Sequence, residues 1–138
     1  MPLSGGRTSV PVLSPAAERF LAEAHVATLT TLRPDGSPHV APVRFTWDPD
    51  AGTARVLTVS SSRKARNLLV QTGLRAVLCQ VAGFRWVTLE GTATVSGEPA
   101  RIIEAAERYA LRYGAPPPEP PGRVVVEIAV DRVLSLNT

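Results

Sequence analysis

Cysteine occurs once, at position 79, so no internal disulfide can form, and a reducing setting such as the cytoplasm suits the chain. The apolar neighbours Val77, Leu78 and Val81 mark Cys79 as a packed strand residue rather than a reactive thiol. Two histidines, His25 and His39, with one cysteine and scattered acids, cannot assemble a metal site. Aromatic residues make up 5%, too few to give a nucleic-acid binder its stacking platforms, although the pI is near 9.7. No apolar run approaches the ~18–20 residues that span a bilayer. The opening MPLSGGRTSVPV lacks the apolar core of a signal peptide and reads as a flexible leader over residues 1–12. Glycine-rich phosphate loops of the Rossmann and P-loop types are missing. So is any serine with a histidine and an acid close by in sequence. The most informative absence is local. No Asp or Glu lies between Ala51 and Leu89, where an even spread of the twelve acids would place about three.

Base fills that gap. Arg55, Arg63, Lys64, Arg66, Arg75 and Arg85 all fall inside it, and Lys64 is the only lysine beside fourteen arginines. The net charge of +3 points to anionic partners without choosing among them. At 138 residues, with 44% hydrophobic and 20% charged residues, the chain fits one soluble domain over 13–138.

Alternation and turn chemistry predict a mainly β fold with short helices. Ser14-Pro15 starts a helix with Phe20, Leu21 and Ala24 on its apolar stripe. Val26–Leu32 and Pro38–Trp47 form a hairpin across Pro34-Asp35-Gly36, and Pro42 makes the second strand either an edge or one that breaks its ladder there to face something other than protein. Strands follow at Ala54–Ser60, Leu74–Val81, Phe84–Val95 and Arg123–Val130. Helices are predicted at Arg63–Thr72, closed by Gly73, and at Pro99–Tyr113, where Tyr109 and Tyr113 serve packing. Gly114–Gly122, with five prolines, is a stiff connector. About six antiparallel strands at this size curl into a small barrel, and the apolar strand faces favour a homodimer.

The candidate site is Arg55–Asn67. A strand ends in Ser60-Ser61-Ser62 and a helix opens with Arg63 and Lys64, so hydroxyls, amides and cations converge. A solvated basic face is the competing reading. Gln80 and Trp86, on neighbouring strands, offer an amide and an indole to a planar heterocycle.

RVLTVSSSRKARNL, WVTLEGTATV and RVVVEIAVDRVL together resemble the pyridoxamine-phosphate-oxidase-like split-barrel superfamily. With LTTLRPDGSPHVAPVRFTWDP and AERYALRYGAPPPEPPG added, the resemblance is to its branch using the deazaflavin coenzyme F420, and there to the F420-dependent biliverdin reductases. The resemblance implies a homodimeric split β-barrel with cofactor sites between subunits. It implies that Ser60, Ser61, Arg63 and Lys64 hold the phosphate and tail, and that Leu57, Thr58 and Val59 edge the ring, with Pro42 and Val43 on its other flank. Gln80 and Trp86 come from the neighbouring wall, and Arg132 lies near the tail or substrate. The implied activity is hydride transfer from reduced F420 to a conjugated acceptor, a tetrapyrrole such as biliverdin or a quinone-like molecule. The alternatives are an FMN-binding oxidase of pyridoxamine phosphate or another amine, and a non-catalytic barrel that stores a cofactor or haem.

Overall fold

A computed structural model describes residues 11–138. The expected leader lies outside the described residues except for Pro11 and Val12. Helix α1, Pro15–Ala22, begins where the Ser14 hydroxyl accepts the amide of Ala17 at 3.0 Å. It buries Ala17, Phe20 and Leu21, whereas Ala24 lies past its end and is exposed.

Strands β1 (Ala27–Leu32) and β2 (Pro38–Val43) form the expected hairpin, with β2 at a sheet edge, the first of the two outcomes Pro42 allows. The predicted continuous strand Pro38–Trp47 is in fact two. β3 (Thr46–Asp48) leaves β2 behind at Arg44-Phe45 and pairs with β4 (Thr53–Val59) instead. Phe45 and Thr46 are buried in succession, so the inward alternation slips by one residue at that corner. Seven strands therefore replace the expected six.

Helix α2 (Arg63–Leu69) stops before the predicted Gly73, which adopts φ +79° in the following bend. Strands β5 (Arg75–Ala82) and β6 (Arg85–Ser96) precede helix α3 (Pro99–Tyr113), which ends at left-handed Gly114. The last strand, β7, runs Arg123–Leu136, beyond the predicted Val130. Asp131 bulges from its ladder between the pairs Gly91–Val130 and Glu90–Arg132. Gly91 faces this bulge, and a Cβ there would sit 2.0 Å from the Ala129 carbonyl oxygen.

The sheet is antiparallel throughout, in the order β2-β1-β5-β6-β7-β4-β3. It wraps around one core that includes Phe20, Leu29, Phe45, Val56, Leu78, Leu89 and Ile128, and the edges β2 and β3 do not pair. Helix α3 lies outside β3, β4 and the first part of β7, where successive residues are buried on both faces, as at Ala54–Val56 and Val124–Val126. No helix among the described residues is long and apolar enough to cross a membrane.

Candidate functional site

Tertiary structure divides the cations of the acid-free stretch into two groups. Arg55 is buried, bonded to Asp48 at 3.0 Å and Glu127 at 3.3 Å, with Glu104 of α3 at 3.8 Å. Arg108 of α3 also meets Asp48 at 3.0 Å, so this network fastens α3 to the sheet. Burial raises the pKa of Asp48, but hydrogen bonds from Arg55 and the Ala51 amide outweigh it and hold the carboxyl below its ordinary value. Arg75 pairs with Asp131 and Arg85 forks onto both oxygens of Glu23. Every one of these acids lies outside the acid-free stretch. Arg63, Lys64 and Arg66 have no carboxylate partner among the described residues; Arg63 reaches only the Asn67 amide oxygen, at 3.5 Å.

Lys64 lines a cavity of about 310 Å³. Its β-sheet side includes Pro42 and Val43 from the end of β2 and Leu57, Thr58 and Val59 from the end of β4. β2 is the first and β4 the sixth of the seven strands in the sheet order, and the wrap brings their ends together. Six of the twelve predicted residues thus share one surface. Ser60 and Ser61 are exposed on the turn leading to α2. Ser62 is the helix cap: its hydroxyl accepts the Ala65 amide at 3.3 Å and the Thr58 hydroxyl at 3.0 Å. The Ser60 amide donates to the Gly122 carbonyl at 2.9 Å, which ties the proline segment to the end of β4.

The remaining predicted residues stand elsewhere. Gln80 is 1% exposed, and its amide is spent on the Phe20 carbonyl and on Arg112, at 2.7 and 2.8 Å. Trp86 pairs with Val81, not Gln80, so the pleat sends the two side chains to opposite faces and they form no joint wall. Arg132 lies on β7 nine residues beyond the cavity-lining Arg123, about 30 Å along a strand. His39 does not line the cavity. It sits in β2 opposite Thr31, with Nδ1 buried and without a hydrogen-bond partner among the described residues. Cys79 is half-buried on the outer face of β5 rather than in the core.

Six lining residues escaped the sequence reading. Arg44 follows Pro42-Val43 into the cavity, Tyr109 enters from α3, Arg123 enters from β7, and Pro117, Pro118 and Pro120 form a wall. Arg123 is anchored by the Pro118 carbonyl at 3.0 Å. The segment read as a connector is therefore a side of the site. Tyr113, one turn beyond Tyr109, accepts the Phe45 amide at 3.0 Å and donates to the Phe45 carbonyl at 2.9 Å, pinning the β2–β3 corner. Burial pushes its phenol pKa up. The lining carries three cations, Arg44, Lys64 and Arg123, and no carboxylate beside its apolar floor. Such a cavity accepts a flat apolar body with anionic groups at its rim.

An open-edged antiparallel sheet wrapped on one core, with a cationic cavity where the ends of β2 and β4 converge, is the architecture of split-barrel cofactor-binding proteins. The sequence matches the pyridoxamine 5'-phosphate oxidase family over residues 13–137, and the chain belongs to that family. It is 51% identical over 122 residues to an F420H(2)-dependent biliverdin reductase of Mycobacterium tuberculosis (strain CDC 1551 / Oshkosh), covering 88% of this chain and 87% of that one. Among solved structures it is similar to a conserved hypothetical protein of M. tuberculosis, with TM-score 0.71, 26% identity, and coverage of 92% of this chain and 86% of the other. An F420 reductase shares the fold at TM-score 0.71 and 22% identity, covering 88% of this chain and 98% of that one.

Proposed function

We propose that the protein is an F420H2-dependent reductase that delivers a hydride to a conjugated acceptor, with biliverdin, reduced to bilirubin, as the foremost substrate. The observation that carries this reading is the 51% identity, spread over most of both chains, with a biliverdin reductase that uses F420H2. The donor set fits the cofactor. Pro42, Val43 and Leu57 offer an apolar bed to the deazaflavin ring, and Lys64 offers a compact cation to the phosphate, with Ser60, Ser61 and Arg63 beside it. When bound, reduced F420 supplies the hydride, and the protein contributes orientation, electrostatics and exclusion of water. No carboxylate in the lining opposes an anionic ligand.

A cavity of about 310 Å³ lies at the lower end of the roughly 300–1,000 Å³ that holds one drug-sized ligand. It suits one ring system with only the edge of a second molecule at its rim, not a whole cofactor and a whole tetrapyrrole together. A second copy of the chain completes the site in this reading. The outer face of the sheet carries exposed Val81, Leu134 and Leu136 around Trp86, an apolar surface suited to self-association. From that face the partner copy could supply its Trp86 and Arg132, which in one chain stand away from the cavity.

Fluorescence titration with F420 and with FMN tests the cofactor, and bilirubin formation from biliverdin with reduced F420 tests the reaction. Tighter binding of FMN, or tight F420 binding without turnover, would overturn the reading. Sedimentation of wild type and of Leu134→Glu tests the dimer; a wild-type monomer would rule it out.

A further inference from the structure

We propose that Arg44 is a specificity-determining residue that receives a carboxylate of the hydride acceptor, with Tyr109 and Tyr113 fixing its aim. The inference rests on the reductase reading above and adds to it the chemical class of acceptor.

Arg44 stands at the corner where the chain leaves β2 for β3, exposed at the cavity. Its Nη1 donates to the Tyr109 hydroxyl at 2.8 Å. Its guanidinium lies 4.9 Å from the Tyr113 ring centre and 5.9 Å from that of Tyr109. The two rings pack at 4.8 Å, and Tyr113 is held by both backbone groups of Phe45, so the platform beneath Arg44 is rigid. One edge of the guanidinium is spent on Tyr109. Its other N–H groups have no partner among the described residues, and no acid there pairs with it. A planar fork held on aromatic rings with a free edge is arranged for bidentate capture of a carboxylate.

The surroundings favour the acceptor over the cofactor tail. Arg44 opens onto Tyr109 and the stiff wall of Pro117, Pro118 and Pro120, carbon-rich surfaces that suit a conjugated body. A hydrated anionic tail finds its match along exposed Ser60, Ser61 and Arg66 instead.

The test compares biliverdin with its dimethyl ester in wild type, Arg44→Met and Arg44→Lys. In Arg44→Met the ratio of KM for the acid to KM for the ester should rise about tenfold or more, as expected for a lost charge-assisted hydrogen bond. The F420 dissociation constant should stay within about twofold, and Arg44→Lys should recover part of the discrimination. Absorbance titration of both pigments into cofactor-free protein should follow the same order. An unchanged ratio, an equal loss for both pigments, or a tenfold weakening of F420 would overturn the assignment. Wild type that turns over neither pigment but binds the acid more tightly than the ester, a preference lost in Arg44→Met, would overturn the reductase reading and leave the carboxylate site standing.

Discussion

Arg55 and Lys64 belong to the same acid-free stretch, yet the fold uses them in opposite ways. Arg55 points from the middle of β4 into the layer between sheet and α3, where Asp48, Glu127 and Glu104 converge on it from three other parts of the chain. Lys64 lies just past the end of the same strand, where no acid follows it and a cavity opens. Lack of acids along the sequence is thus weak evidence for an anion site by itself. What separates the two cations is whether the fold carries a carboxylate back to them.

That contrast can be broken experimentally. Arg55→Ala should cost about 3–5 kcal/mol of stability, because it leaves buried Asp48 with Arg108 as its only cation, and should leave F420 affinity unchanged in the fraction that folds. Chemical denaturation gives the first quantity and fluorescence titration the second. If Arg55→Ala instead weakens F420 at full stability, the division is wrong. Lys64→Ala should do the reverse. Its F420 dissociation constant should rise about ten- to a hundredfold, as for a charge-assisted hydrogen bond of about 1.5–3 kcal/mol, with the melting temperature barely moved. Unchanged affinity would remove Lys64 from the site.

The Arg85–Glu23 pair extends the comparison to a cation whose partner is exposed. Hydrogen bonds from Arg85, then from His25, hold the Glu23 carboxyl at about 2, against 4.5 for a free glutamate. A carboxyl with a lowered folded pKa contributes stability above pH 4.5 and loses it as pH falls towards 2. Between about pH 5 and pH 2, wild type should therefore lose more melting temperature than Glu23→Gln, and the two should run parallel above that range. Parallel curves throughout would show that the fork carries no stability. The effect is the smallest of the three because both partners face solvent.

Much of the fold was legible. Ser14-Pro15, Gly114 and the alternation in β6 mark their elements because capping and pleating are local rules. The split of Pro38–Trp47 was not legible. Its apolar alternation runs on through Phe45, and only the pairing of β3 with β4 shows that the strand has changed edge. Of the candidate cavity's lining, Lys64 stood out from its charge pattern and the β2 and β4 residues were expected only through the family resemblance, whereas Arg44, Tyr109 and the proline wall were not expected at all. A stiff proline run looks the same as a linker and as a wall until something packs against it, and Pro117 is buried.

By itself the sequence determined the strand faces, the capped helices and the concentration of base between Ala51 and Leu89. These follow from side-chain periodicity and composition, which act over a few residues. Only tertiary structure decided which cations are neutralised and which are free. Pairing depends on contacts between residues far apart in the chain, such as Arg55 with Glu127 and Arg85 with Glu23, and no local pattern encodes them.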